Sequence, residues 1–162
     1  MSKLILLGGP PGVGKTSVLK LLPQFYQTCA VFDADDIWRT YPQDKNVENR
    51  SRNIVAVQSV LKCHLESAHA PLFVAWVFAN PALVEDVLNG IDQYTSSIQK
   101  IYLVASPKVL QERLALRFAN KALVQYSLSK LRSINELNHP KINTTNLEPD
   151  EIAREIVRLV TA

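Results

Sequence analysis

Three features of the chain predict a single α/β domain built in three layers, with helices on both sides of a five-stranded parallel sheet. Strand-like and helix-like segments alternate over the whole length, as parallel strands joined by helical crossovers require. A short apolar run, Leu4 to Leu7, passes through a glycine-rich turn straight into a helical segment. Leu72 to Phe78 is almost entirely apolar, β-branched or aromatic, which suits a strand covered on both faces. At 162 residues, a domain of this kind buries a full core without disulfides or a structural metal.

The elements follow in order. The first strand is read at Lys3 to Leu7, and the first helix runs from Ser17 to Tyr26. Cys29 to Asp33 is the second strand, and the polar stretch Thr40 to Glu48 is a loop. From Asn49 to Ala68 the residues Ile54, Val57, Leu61, Leu65 and Ala68 recur at helical spacing. Leu72 to Phe78 is the third strand. Pro81 to Asn89 is a helix with proline in its first turn and Gly90 as its stop. Ile101 to Val104 is the fourth strand. Ser106-Pro107 then opens a helix, with serine as N-cap and proline at the first position. A further helix spans Asn120 to Leu137, Ile142 to Thr144 is the fifth strand, and the last helix spans Pro149 to Val160. In that last helix Asp150 with Arg154 and Glu155 with Arg158 stand at helical spacing, the mark of a solvated face.

The glycine-rich turn reads Gly9-Pro10-Pro11-Gly12-Val13-Gly14-Lys15-Thr16, a G-x-x-x-x-G-K-T motif, and Ser17 follows it. Strand before and helix after are the context in which such a loop wraps its backbone N–H groups around phosphates. Lys15 is expected to reach the β/γ-phosphates and the Thr16 hydroxyl to ligate Mg²⁺, so a nucleoside triphosphate is the expected ligand. The cluster Asp33-Ala34-Asp35-Asp36 ends the second strand, on the edge of a parallel sheet where ligands bind. Three carboxylates so close repel one another unless a cation or a proton intervenes. Phosphoryl transfer to a hydroxyl brings both. Capping of the following turn by Asp35 or Asp36 is the alternative reading for one of the three.

Arg113, Arg117 and Lys121 fall at i, i+4 and i+8 and form one positive ridge if the helix is continuous. Neither arginine has an acid three or four places away, and a bound phosphate would compensate both. Arg39, Arg50 and Arg52 flank the loop after the acidic cluster and are candidates for an anionic acceptor; Asn80, past the third strand, is a candidate substrate contact or turn residue.

What is absent narrows the classes. The third strand ends Trp76-Val77-Phe78-Ala79-Asn80, with no carboxylate of the Walker B kind. Asn120-Lys121-Ala122-Leu123 lacks the aspartate of a guanine-reading N-K-x-D, and no L-S-G-G-Q stretch occurs. The net charge of +3 is mild, so nucleic acid is a secondary expectation rather than the favoured partner. The cysteines Cys29 and Cys63 form no C-x-x-C pair, and no leader or membrane span is read, which points to a reduced, cytoplasmic setting.

On these residues the chain resembles the small P-loop kinases: shikimate kinase, gluconate kinase, chloramphenicol phosphotransferase and the adenylate-kinase relatives. The resemblance implies an ATP- and Mg²⁺-dependent kinase acting on a small hydroxyl-bearing acceptor. By analogy with the D-x-D of shikimate kinase, Asp33 is the metal-side residue and Asp35 the acceptor-side one, with Asp36 as its competitor for that role. Ile101 to Pro107 with Arg113 and Arg117 downstream is similar to the strand and helix before the lid of such kinases. Ile142-Asn143-Thr144-Thr145, followed by Leu147-Glu148-Pro149, is similar to their adenine-side loop, which places Thr144 and Thr145 at the nucleotide. Asp35-Asp36 followed by Arg39 also resembles the strand-two end of polynucleotide 5′-hydroxyl kinases. A nucleotide-dependent switch without an acceptor is the remaining alternative.

Overall fold

The computed structural model, which describes residues 2–38, 47–67, 70–117 and 120–162, pairs five segments into one parallel sheet. They are β1 (Ser2–Gly8), β2 (Ala30–Asp33), β3 (Leu72–Ala75), β4 (Thr95–Val104) and β5 (Lys141–Asn143). Their spatial order is β2, β3, β1, β4, β5, so the strand leading into the glycine loop is the central one. The helices are α1 (Lys15–Leu19), α2 (Val47–Glu66), α3 (Pro81–Leu88), α4 (Pro107–Arg117), α5 (Lys121–Glu136) and α6 (Pro149–Thr161).

Alternation along the central strands builds two cores. Ile5, Leu7, Phe73, Ala75, Ile101 and Leu103 point to one face, where Val18 of α1 and Ile152 and Ile156 of α6 cover them. Leu4, Leu6, Leu72, Val74 and Tyr102 point to the other, under Val57 and Leu61 of α2 and Val84 and Val87 of α3. Burial on both faces is why these strands read as continuous apolar runs. In-register pairs Leu6↔Val74 and Leu6↔Lys100 carry the ladder across the middle of the sheet.

Four expectations are corrected. The first helix stops at Leu19 rather than Tyr26, and a 3-10 turn, Leu22–Phe25, follows. Pro23 has no N–H to continue an α ladder. The third strand ends at Ala75, three residues early. There Trp76 N–H is donated to the Leu7 carbonyl and Gly9 N–H to the Val77 carbonyl, and Phe78 turns left-handed with φ 46°. Trp76 and Phe78 remain buried and meet edge to face, so the apolar pattern marked their burial and not their conformation. The fourth strand begins at Thr95, not Ile101. Its polar first half escaped the apolar signal, yet it pairs with Ser2 and Lys3 across a bulge. Last, α4 ends at Arg117, and Asn120 caps α5 by accepting from the Ala122 and Leu123 amides at 3.0 and 3.2 Å. Arg113, Arg117 and Lys121 therefore do not share one helix face.

Candidate nucleotide and acceptor site

The loop after β1 gets its shape from two glycines. Gly12 and Gly14 have φ of 82° and 107°, a region that disfavours other residues. Gly14 is the N-cap of α1, and the Val18 amide is donated to its carbonyl at 3.0 Å. Gly12 also lies against α4: a Cβ built there would sit 2.8 Å from Leu114 Cγ.

Lys15 is buried, and its Nζ donates to the carbonyls of Gly9 at 2.8 Å and Pro10 at 3.1 Å. Burial lowers its pKa to about 8, against the pull of Asp35 and Asp33, which act to raise it. The ammonium thus stays charged at neutral pH while folded back on the loop's own backbone.

β2 delivers the acidic cluster to the same place. The Thr16 hydroxyl donates to Asp33 Oδ2 at 2.7 Å, and the Asp35 amide donates to Asp33 Oδ1 at 3.1 Å. The Asp33 carboxylate is oriented through both oxygens. Partial burial raises the pKa of Asp35, Asp33 beside it raises it further, and the Lys15 charge and a hydrogen bond to Trp76 oppose the rise. Asp36 adds a smaller upward push on Asp35. Tyr126 of α5 feels the Asp35 charge and, in the opposite sense, the Arg50 charge of α2. Tyr126 of α5 thus lies within electrostatic reach of both Asp35 and Arg50.

On the other side of the loop is a cavity of about 410 Å³, lined by Gly12, Gly14, Ser17, Arg117, Leu147 and Pro149 among others. Arg113, also in its wall, is anchored: its Nη1 donates to Thr144 Oγ1 at 3.1 Å and its Nη2 to the Thr144 carbonyl at 2.9 Å. Thr144 is wholly buried, and its hydroxyl donates to the Val13 carbonyl at 3.3 Å. The Thr145 hydroxyl accepts from the Ser106 amide and donates to Asn143 Oδ1. Thr144 and Thr145 hold up the cavity and do not line it. Arg117 is exposed at its rim. Asn80 caps α3, accepting from the Ala82 amide at 3.0 Å, and Arg52 pairs with Glu48 on the exposed start of α2. Arg39 lies outside the described residues.

Several contacts carry no local sequence signal. The Ser127 hydroxyl of α5 donates to the Pro11 carbonyl at 2.7 Å, tying the loop to a helix more than a hundred residues away. Leu116 and Ile152 complete the cavity wall, and Trp76 bonds Asp35. Only the helical spacing of Ser127 with the apolar residues Leu131 and Ile134 hinted that it faces inward.

A divalent ion with a preference for hard oxygens suits the donors present, the Thr16 hydroxyl and the Asp33 carboxylate. Among the described residues no group of three or more His, Cys, Asp or Glu could hold a metal.

A glycine loop on the central strand, with its threonine bonded to a carboxylate from β2, places this domain among the P-loop nucleotide-binding folds. The chain belongs to the family described as AAA domain, whose pattern matches residues 5–135. No curated protein matches it in sequence. Solved structures share the fold over nearly the whole chain. A tunicamycin resistance protein of Deinococcus radiodurans superposes with a TM-score of 0.77 at 22% identity, covering 99% of this chain and 96% of that one. A gluconokinase of Sinorhizobium meliloti 1021 gives 0.69 at 18% identity, with 98% and 94% covered. A shikimate kinase of Acinetobacter baumannii, solved in complex with shikimate, gives 0.66 at 19% identity, with 99% and 93% covered. The architecture is that of the small P-loop kinases.

Proposed function

We propose that the chain, acting as one unit over residues 1–162, transfers the γ-phosphoryl group of ATP to a hydroxyl of a small-molecule acceptor. The observation that carries this reading is the Thr16–Asp33 bond at 2.7 Å, with the Asp35 carboxylate facing Lys15 beside it. Those groups supply a metal side and an acceptor side on one phosphate loop. The loop amides and Lys15 would hold the triphosphate once the ammonium leaves the Gly9 and Pro10 carbonyls. Thr16 and Asp33 would hold Mg²⁺, which supplies charge neutralisation on the phosphate oxygens. Asp35 would orient the acceptor hydroxyl and take its proton, and its raised pKa makes it the stronger base. Arg50 and Tyr126 would border the acceptor, and Arg117 would stand over the nucleotide. Arg113 would act chiefly by bracing the loop. The gluconokinase and shikimate kinase likenesses support a small polar acceptor. Free thiols at Cys29 and Cys63 agree with a cytoplasmic setting.

The test is transfer of label from γ-labelled ATP across nucleosides, sugar acids, shikimate, antibiotics and 5′-hydroxyl oligonucleotides. Lys15→Ala should lose the labelled product while remaining folded. Asp35→Asn should cut turnover at least a hundredfold with nucleotide affinity nearly unchanged, in line with the usual worth of a positioned base. Full activity in Lys15→Ala would overturn the assignment. Nucleotide binding with no labelled product from any acceptor would favour a switch.

A further inference from the structure

The far end of the sheet carries a second feature, independent of the phosphate loop. β4 runs from Thr95 to Val104, but β5 pairs only with Tyr102, Leu103 and Val104. The Tyr102 amide is donated to the Pro140 carbonyl at 2.9 Å, and the Val104 carbonyl accepts from the Thr144 amide at 2.7 Å. Even-numbered residues of β4 therefore turn their backbone groups toward β5. Ile98 and Lys100 turn theirs the same way, below the point where β5 begins. Among the described residues no backbone hydrogen bond reaches them from that side. This is an open strand edge with a free donor–acceptor row.

The edge is the floor of a cavity of about 400 Å³ between β4, the His139-Pro140 turn and Leu159 of α6. Ile98, Ile101 and Leu159 give it apolar walls. Gln99, one of the lining residues, has a buried side-chain oxygen with no hydrogen-bond partner. The rim is basic. His139 stacks on Tyr102 with centroids 5.8 Å apart, and the charges of Lys100 and Lys141 both act on its imidazole. Among the described residues no carboxylate pairs with Lys100, His139 or Lys141; the Lys141 ammonium donates only to the Leu137 carbonyl.

We propose that the open edge of β4 at Ile98 to Lys100 is a docking strand for an extended, acidic segment of a partner protein. The segment's backbone would pair with the free row. Apolar side chains on one of its faces would enter the cavity, and carboxylates would meet Lys100 and Lys141. The charge of the rim selects acidic partners over a second copy of this basic chain, whose net charge is +3.

The probe is a fluorescein-labelled peptide of alternating valine and glutamate, followed by anisotropy, with a valine–lysine peptide as control. Hydrogen exchange across residues 97–101 reads the pairing directly. The acidic peptide should bind and the basic one should not, and the Ile98 and Lys100 amides should gain protection. Lys100→Glu should weaken binding about tenfold or more through charge reversal. Lys100→Pro should do so by removing the edge N–H. If the proline variant fails to fold, the glutamate variant carries the test alone. Phosphoryl transfer should be unchanged in Lys100→Glu, and Lys15→Ala should still bind the peptide, so this proposal stands or falls apart from the kinase reading. No binding at millimolar peptide would overturn it, as would binding indifferent to Lys100→Glu. So would tighter protection of the same amides by an oligonucleotide, or a free chain already dimeric through this edge.

Discussion

Lys15 is held in two opposed ways. Its ammonium is bonded to two carbonyls, yet burial lowers its pKa from 10.5 to about 8. That depression corresponds to a charge disfavoured by on the order of 3 kcal/mol relative to water. Below pH 8 both the folded and the unfolded chain carry the proton, and the penalty is fully present. Between pH 8 and 10.5 the unfolded chain binds more protons, so this residue's contribution to stability rises with pH. Lys15→Met should therefore be more stable than the natural chain at neutral pH. The gain should be about 1–3 kcal/mol, reduced by the two carbonyls left without a donor. It should shrink as pH climbs from 8 toward 10. Nucleotide-free thermal unfolding of both proteins against pH checks it, and parallel curves would refute the account.

At the scale of elements, the phosphate loop is braced by the helices on either side of residues 118–119. Leu114 of α4 fills the space beside Gly12, Arg113 holds the Val13 carbonyl at 3.4 Å, and Ser127 of α5 holds that of Pro11. Gly12 and Gly14 therefore differ, although both have positive φ. A Cβ at Gly14 meets nothing within 4 Å, while one at Gly12 strikes Leu114. Gly14→Ala should cost only backbone strain, about 1–2 kcal/mol. Gly12→Ala should cost that plus the displacement of a packed leucine, about 1–3 kcal/mol more. Leu114→Ala should relieve Gly12→Ala and leave Gly14→Ala unrelieved, so a double-mutant cycle in denaturant separates the two effects. Additive costs at Gly12 and Leu114 would refute the contact.

Across the whole molecule, a nucleotide held between β1, β2 and α4 should bind only the folded state and stabilise it. At a hundredfold excess over Kd the gain is about 2.7 kcal/mol, an increase of roughly 5–10 °C in Tm for a chain of this size. With Mg²⁺ removed by a chelator, or in Asp33→Asn, most of the increase should vanish; an increase that survives both would remove Asp33 from the metal site. The fold was legible because its cues are local. Gly12, Gly14 and Lys15 announce the loop in eight consecutive residues, Ser106 and Pro107 open a helix, and the unbroken apolar run Leu4 to Leu7 marks a buried strand. What stayed hidden depends on distant partners. Thr95 to Gln99 are too polar to read as strand and become one by pairing with β1. Trp76 and Asp35, or Ser127 and Pro11, lie far apart in the chain and show no mutual signal. The continuous ridge from Arg113 to Lys121 failed because Asn120 caps a new helix, and Pro23 was a visible warning against the long first helix.

The Lys15 ammonium is bonded to the carbonyls of Gly9 and Pro10, acceptors that belong to the loop itself. An arriving anion must compete with two internal acceptors before it gains the ammonium. Free phosphate brings one group to that contest and cannot also reach across to Thr16 and the cavity beyond. A nucleoside triphosphate would engage all three at once. The fold-back would thus set a threshold against simple anions, one that a ligand able to make all three contacts would overcome.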